Sequence, residues 1–221
     1  MSEASALAKR TTPGVASLRT LAQYVAGLSS IEDIDSAIVF AEVNLLENSH
    51  AVALDWETAN ELKVAAIDLW NLIERKREGA LCSQSANIIL TLLAHNACVA
   101  LWMCFKQQSE TAADLRRCIV ALTEYWPSAT GEVHSEIFRT SAKKLPEMVS
   151  DIYVSSLPNA AEECIEILIA ISEMYWNFGN SLNASNHHSG EDKKAALDLI
   201  LVACDCLKAT SEGPSRDFCK I

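Results

Sequence analysis

The stretch from Ala86 to Phe105 constrains the fold more than any other part of the sequence. It is apolar around the whole helical circumference and contains no Asp, Glu, Lys or Arg. Such a helix either lies at the centre of a helical protein or spans a membrane, and about 20 residues suffice for a span. His95 and Asn96 at its middle, and flanks without aromatic belts or a clear basic bias, favour the first alternative. We therefore predict a central helix packed on several sides, with no membrane partner.

Helical periodicity continues through most of the chain, and Gly and Pro, at 7 and 5 residues, are too few to break it often. No strand alternation or hairpin dipeptide suggests a sheet. We predict an all-α protein of about eight helices. The predicted bounds are Val15 to Leu28, Ser29 or Ser30 to about Glu47, Asp55 (as N-cap) to Gly79, Ala86 to Phe105, Thr111 to Trp126, Gly131 to a break at Pro146, Ala160 to about Leu182, and Asp192 to about Leu207.

Apolar residues of the second helix recur at intervals of three and four. The residues are Ile34, Ala37, Ile38, Ala41 and Leu45. We expect this stripe to face the core, as in the other helices. Asn48 to Leu54 is expected to form the following turn.

Short turns between the helices fit two architectures, a globular helical bundle and an α-solenoid of stacked antiparallel helix pairs. We expect residues 1–14 to form a disordered tail, 15–158 an N-terminal helical region and 211–221 a flexible tail.

The charge of the chain argues against nucleic-acid binding. The formal net charge is −11, and an acidic protein repels phosphate backbones. The basic clusters are small, and we expect those such as Arg75, Lys76 and Arg77 to be solvated.

The eight cysteines indicate an intracellular, reducing compartment, nuclear or cytoplasmic. Met1 to Pro13 lacks the apolar region of a signal peptide, so we expect no secretion. Most of the cysteines fall within apolar helical runs, where a thiol behaves as a small hydrophobe. We therefore predict reduced, buried thiols.

Motifs for catalysis or metal binding do not emerge from the sequence, and it contains no nucleophile elbow or phosphate-binding glycine loop. Cys204 and Cys206 are two residues apart and point to different sides of a helix. We predict no enzymatic activity, no metal, no cofactor and no small-molecule ligand. A helical enzyme or metal protein using His95, or the loop pair His187 and His188, is the remaining alternative of this class.

Two stretches resemble a known family. The first is Trp56 to Glu78, with Asp68-Leu69-Trp70-Asn71; the second is Met174 to Leu182, with Trp176, Gly179 and Leu182, followed by Ala195, Ala196, Leu199 and Ala203. Together they resemble the meiosis-specific tetratricopeptide-repeat (TPR) proteins, zipper-type crossover scaffolds needed for sporulation. The resemblance implies that 159–210 form a TPR-like helix pair.

The resemblance also implies a scaffold that links recombination intermediates to chromosome-axis and synapsis proteins in the nucleus. We expect partner proteins to dock on exposed side chains near Trp176, Phe178 and Asn180, with Trp56 as a second anchor, because aromatic residues dominate such contacts. The alternative is a compact helical bundle unrelated to meiosis, an adaptor that dimerises through the fourth helix.

Overall fold

Most of the residues that the computed structural model describes are helical. The described residues are 13–49, 54–78, 82–105 and 111–125, with the isolated positions 144, 145, 147–149, 151, 169, 197 and 201. They contain α1 (Pro13–Gly27), a 3₁₀-helix (Ile31–Asp33), α2 (Ser36–Ser49), α3 (Trp56–Arg77), α4 (Gln84–Phe105) and α5 (Ala112–Tyr125). These residues include no strand, so the all-α prediction is confirmed for this part of the chain.

Helix α1 begins earlier than the sequence predicts. Pro13 and Gly14, which we assigned to the tail, form its first turn, and Gly14 is buried. Proline suits this position because its fixed φ is helical and its missing N–H would have no partner in the first turn. The rest of the predicted tail lies outside the described residues.

Ser30 is a cap, as predicted, but of the 3₁₀-helix rather than of α2. The Ser30 hydroxyl accepts a hydrogen bond from the Glu32 N–H (3.3 Å), and the Asp33 carboxylate accepts one from the Ser30 N–H (3.2 Å). This reciprocal arrangement is a capping box. At Ile34 the backbone becomes extended (φ −67°, ψ 118°), which ends the short helix.

Helix α2 starts after a second capping residue. The Asp35 carboxylate accepts a hydrogen bond from the Ala37 N–H at 2.8 Å, satisfying one of the N–H groups that the first turn leaves without a helical partner. The helix continues to Ser49, so Asn48 and Ser49 are helical rather than part of the predicted turn.

The predicted N-cap of α3 is confirmed. The Asp55 carboxylate accepts a hydrogen bond from the Thr58 N–H at 2.7 Å, and hydrogen bonding to Thr58 lowers the pKa of Asp55. The helix ends at Arg77, with Glu78 as its C-cap. Gly79, the predicted stop, lies outside the described residues.

Helix α4 is the centre of the described fold. It packs against α3, α5 and α2, and the side chains from Ile88 to Leu101 are all buried. By length and composition alone Ser85–Phe105 could cross a membrane, yet 89% of its apolar window is buried inside the protein. The predicted packing of this helix on several sides is confirmed.

Contacts between side chains give the directions of the helices. Arg19, in the middle of α1, pairs with Glu61 in the first half of α3 at 3.9 Å. The Lys76 ammonium, at the end of α3, donates to the carbonyl of Leu28, just after α1, at 3.0 Å. Helices α1 and α3 therefore run parallel. The Cys104 thiol, at the end of α4, contacts the Ala59 carbonyl near the start of α3 at 3.2 Å, whereas the end of α3 meets the start of α4, so these two helices are antiparallel.

Polar contacts also hold the chain reversal between α1 and α2. The Tyr24 hydroxyl accepts a hydrogen bond from the Asp35 N–H at 2.6 Å, which ties the start of α2 to α1. The Glu32 carboxylate accepts a hydrogen bond from the Ser83 N–H just before α4, and this contact lowers the pKa of Glu32. The 3₁₀ segment is thus fastened to the residue that precedes α4.

Helix α5 agrees with the predicted fifth helix to within its end residues. Beyond it, Leu145, Met148 and Val149 are helical and join the core, and the Trp102 indole N–H donates to the Asp151 carboxylate at 2.7 Å. The predicted break at Pro146 and most of the predicted pair at 159–210 lie outside the described residues. The helix number and the choice between solenoid and bundle remain predictions.

Candidate protein-binding surface

Helix α2 buries the opposite stripe to the one that we predicted. Val39 and Leu46 are fully buried and Val43 is 5% exposed, and their spacing of four and three residues places them on one side of the helix. Of the predicted core stripe, only Ile34 packs partly against the core; the other four residues, Ala37, Ile38, Ala41 and Leu45, are exposed. The prediction is wrong because both sides of α2 are apolar, and packing on α1 and α4 decides which is buried.

These four residues, which we name the α2 apolar face, form a continuous line along the helix. Ile38 is 40% exposed and Leu45 is 51% exposed, with the small exposed Ala41 between them. Positions i, i+3 and i+7 lie on one side of an α-helix. Clustered apolar side chains in contact with water are typical of protein-interaction surfaces, whereas scattered ones are not.

Trp56 is the one predicted partner-binding residue that the described part of the chain contains. It is 65% exposed in the first turn of α3, directly after the N-cap Asp55. Val64, two turns further along α3, is 51% exposed. The indole is therefore placed where a partner could reach it, although binding itself stays a prediction. Trp176, Phe178 and Asn180 lie outside the described residues.

Arg77 is not the solvated residue that we expected. One guanidinium nitrogen, Nη2, donates to the Thr91 hydroxyl (2.7 Å) and to the Asn87 carbonyl (3.1 Å) at the start of α4. The guanidinium carbon also lies 3.8 Å from the ring centroid of Tyr125, which stacks on Trp70. Burial lowers the pKa of Arg77 to about 10.

This cluster joins three helices rather than forming a reactive centre. Arg77 and Tyr125 come from the last turns of α3 and α5, and the Arg117 guanidinium donates to the Asn71 side chain at 3.2 Å one or two turns earlier in both. Helix α5 therefore runs parallel to α3. Cation–π contacts and charge-assisted hydrogen bonds of this kind stabilise packing between elements. Sequence reasoning missed it because the partners are distant in the chain.

His95, the residue of the enzymatic alternative, is buried at 2% exposure in the middle of α4. Neighbouring polar groups bond to the helix backbone. The Asn96 amide donates to the Leu92 carbonyl at 2.9 Å, and the Thr91 hydroxyl donates to the Asn87 carbonyl at 2.8 Å. These i to i−4 bonds satisfy polar side chains inside an apolar helix. His187 and His188 lie outside the described residues.

The predicted burial is confirmed for the free thiols of Cys98, Cys104 and Cys118, while the free thiol of Cys82 is half-buried. Burial raises the pKa of all three buried thiols, that of Cys104 to about 12. A thiol with such a pKa is protonated at neutral pH and is a poor nucleophile. Within the described ranges, no group of three or more His, Cys, Asp or Glu side chains is arranged to hold a metal ion.

No family model, curated protein sequence or solved structure matches the chain. The α2 apolar face and Trp56 are therefore the features from which a function can be proposed.

Proposed function

We propose that the chain is a non-catalytic helical-repeat scaffold that binds other proteins, with the α2 apolar face as its docking surface and Trp56 as a second anchor. The observation that carries this proposal is the exposure of Ile38, Ala41 and Leu45 on a helix whose opposite side is already buried in the core. Apolar area in contact with water is unfavourable, and covering it with a partner protein provides free energy for association.

The packing pattern supports stacked helix pairs over a closed bundle. Helices α1 and α3 pack side by side in the same direction, and α2 packs against α4. Among the described helices, α1 also pairs with α2 and α3 with α4. Stacking of helical hairpins produces this neighbour pattern, since each repeat contacts only the next. The alternative of dimerisation through the fourth helix finds less support, because α2, α3 and α5 already cover α4.

The meiotic part of the proposal depends on the resemblance of Trp56–Glu78 and Met174–Leu182 to the meiotic TPR scaffolds. On that basis the partners are chromosome-axis or synapsis proteins in the nucleus, and the role is in meiotic recombination and chromosome synapsis.

Affinity purification of the full chain from meiotic and vegetative cells tests both parts. Three forms are compared: wild type, the face variant Ile38→Gln/Leu45→Gln, and the control Thr20→Gln/Ala26→Gln, which places the same two glutamines at exposed positions of α1. We expect wild type and control to recover the same proteins, and the face variant to recover about tenfold less of them. Axis or synapsis proteins should appear only in the meiotic samples.

The two parts fail separately. Equal recovery by the face variant, shown by its urea midpoint to be folded, would exclude the α2 apolar face as the docking surface. Recovery of the same proteins in meiotic and vegetative cells would remove the meiotic role and leave a general scaffold.

A further inference from the structure

We infer that the partner segment bound by the α2 apolar face is a basic amphipathic helix. This inference rests on the proposed function and adds the chemistry of the partner. Every Asp, Glu, Lys or Arg residue between Arg19 and Lys63 is acidic. These residues are Glu32, Asp33, Asp35, Glu42, Glu47, Asp55, Glu57 and Glu61. The charged residues around α2 are therefore all negative over more than forty residues of sequence.

Two of the described basic residues bind partners outside α2. Arg19 pairs with Glu61 of α3, and the Lys76 ammonium binds the Leu28 carbonyl. Glu42, which follows Ile38 by one turn and so borders the α2 apolar face, forms no ion pair with any described Lys or Arg. A half-buried glutamate beside an apolar stripe favours a cation on the rim of the partner.

The shape of the α2 apolar face suits a helix. Its larger side chains, Ile38 and Leu45, are two turns apart, and the small Ala41 lies between them. A small residue between larger ones lets the ridge of a second helix approach closely, as in helix–helix packing throughout proteins. A partner with leucines at the matching interval would cover the stripe, and lysines or arginines beside those leucines would lie near Glu42.

Charge also argues against three other occupants. A second copy of the chain would bring the same acidic residues and a net charge of −11 to the interface, and like charges brought together disfavour binding. Nucleic acid and anionic membrane surfaces carry negative phosphates, which the same field repels. A protein helix with basic flanks is the occupant that satisfies both the apolar and the charged part of the surface.

Two synthetic peptides test the inference on the full-length chain. Each is capped at both ends and has about 20 residues, above the length at which isolated helices are marginal. Both carry leucines at helical intervals; one has lysines on the flanking positions and the other has glutamates. Binding is measured by fluorescence anisotropy at low and high ionic strength. Hydrogen exchange across α2 reports whether the peptide binds there.

We expect the lysine peptide to bind wild type and the control Thr20→Gln/Ala26→Gln of α1 and to slow exchange in α2. The face variant Ile38→Gln/Leu45→Gln should weaken binding about tenfold or more. The charge variant Glu42→Gln should weaken it about two- to fivefold, with less dependence on salt. The glutamate peptide should bind about tenfold more weakly than the lysine peptide.

Each other outcome overturns the inference. If the lysine peptide binds the face variant as tightly as wild type, it is attracted by the negative charge of the protein in general and not by the α2 apolar face. Equal binding of the lysine and glutamate peptides would exclude a preference for a basic partner. If wild type self-associates and the face variant does not, the α2 apolar face binds a second copy of the chain. Failure of both peptides to bind would exclude an amphipathic helix of this kind. In each case the purification experiment still decides separately whether the α2 apolar face binds proteins.

Discussion

Two adjacent leucines in α2 give a direct test of which side of this helix is buried. Leu46 is fully buried and Leu45 is 51% exposed. The same substitution, leucine to alanine, can be made at both positions, and it introduces the residue with the highest helix propensity in each case. Any difference between Leu45→Ala and Leu46→Ala therefore reports the packing of the two side chains.

The expected losses differ by about 2 kcal/mol. Truncating a fully buried leucine removes its transfer free energy and leaves a cavity, so Leu46→Ala should cost about 3 kcal/mol. Leu45→Ala removes the equivalent of about three methylenes at ~0.8 kcal/mol each, of which about half was already in contact with water, and it leaves no cavity. Its cost should be about 1 kcal/mol.

Urea unfolding followed by circular dichroism measures both values. With a slope near 3 kcal/mol/M, the midpoint should fall by about 1 M for Leu46→Ala and by about 0.3 M for Leu45→Ala. Equal shifts, or a larger shift for Leu45→Ala, would mean that the stripe predicted from the sequence faces the core. The proposed docking surface would then not exist.

Three further predictions concern contacts elsewhere in the fold. Asp55→Ala should lower the urea midpoint more than Asp55→Asn, because asparagine keeps a capping oxygen. Hydrogen bonds lower the pKa of Asp55, so its contribution to stability is complete above its ordinary pKa of about 3.8 and is lost as the pH falls through the lower folded value. Wild type should therefore lose more stability on acidification than Asp55→Asn. Arg77→Lys should lower the free energy of unfolding by about 1 to 2 kcal/mol in the same titration, since lysine cannot stack flat on Tyr125 while making the same hydrogen bonds. Tyr125→Phe keeps the ring and should lower it less. A larger loss for Tyr125→Phe than for Arg77→Lys would contradict the cation–π contact. At about pH 8, alkylation with peptide mass spectrometry should label the half-buried Cys82 before Cys104, whose pKa is about 12, and early labelling of Cys104 would show that α4 opens readily.

Local signals in the sequence predicted the helix positions well. Asp55 begins α3 because a side-chain acceptor at that point is favourable in any context, and the unbroken apolar run of α4 predicted a central helix without knowledge of its neighbours. Features that depend on how the helices pack against one another were harder to predict from the sequence. Ser30 caps a helix, but the extended backbone at Ile34 separates that short helix from α2.

The candidate site was only partly predictable for the same reason. Exposure of Trp56 agrees with its predicted availability. The α2 apolar face was assigned to the core, because a sequence with apolar residues at both Leu45 and Leu46 does not say which side the rest of the protein covers. The contact between Arg77 and Tyr125 joins residues far apart in the chain, and periodicity within one helix has no information about it.

The polar contacts at the reversal between α1 and α2 have a consequence for recognition. Tyr24 of α1 binds the backbone of Asp35, the residue before α2. Glu32 binds the backbone at Ser83, and Lys76 of α3 binds the carbonyl of Leu28, so the segment that leads into α2 is anchored at several points before any partner arrives. An incoming helix would meet a surface that already has its bound shape, and little chain entropy would be lost in ordering it. Association should then be fast and close to rigid-body docking, and loosening these anchors should weaken binding even though none of them touches the partner.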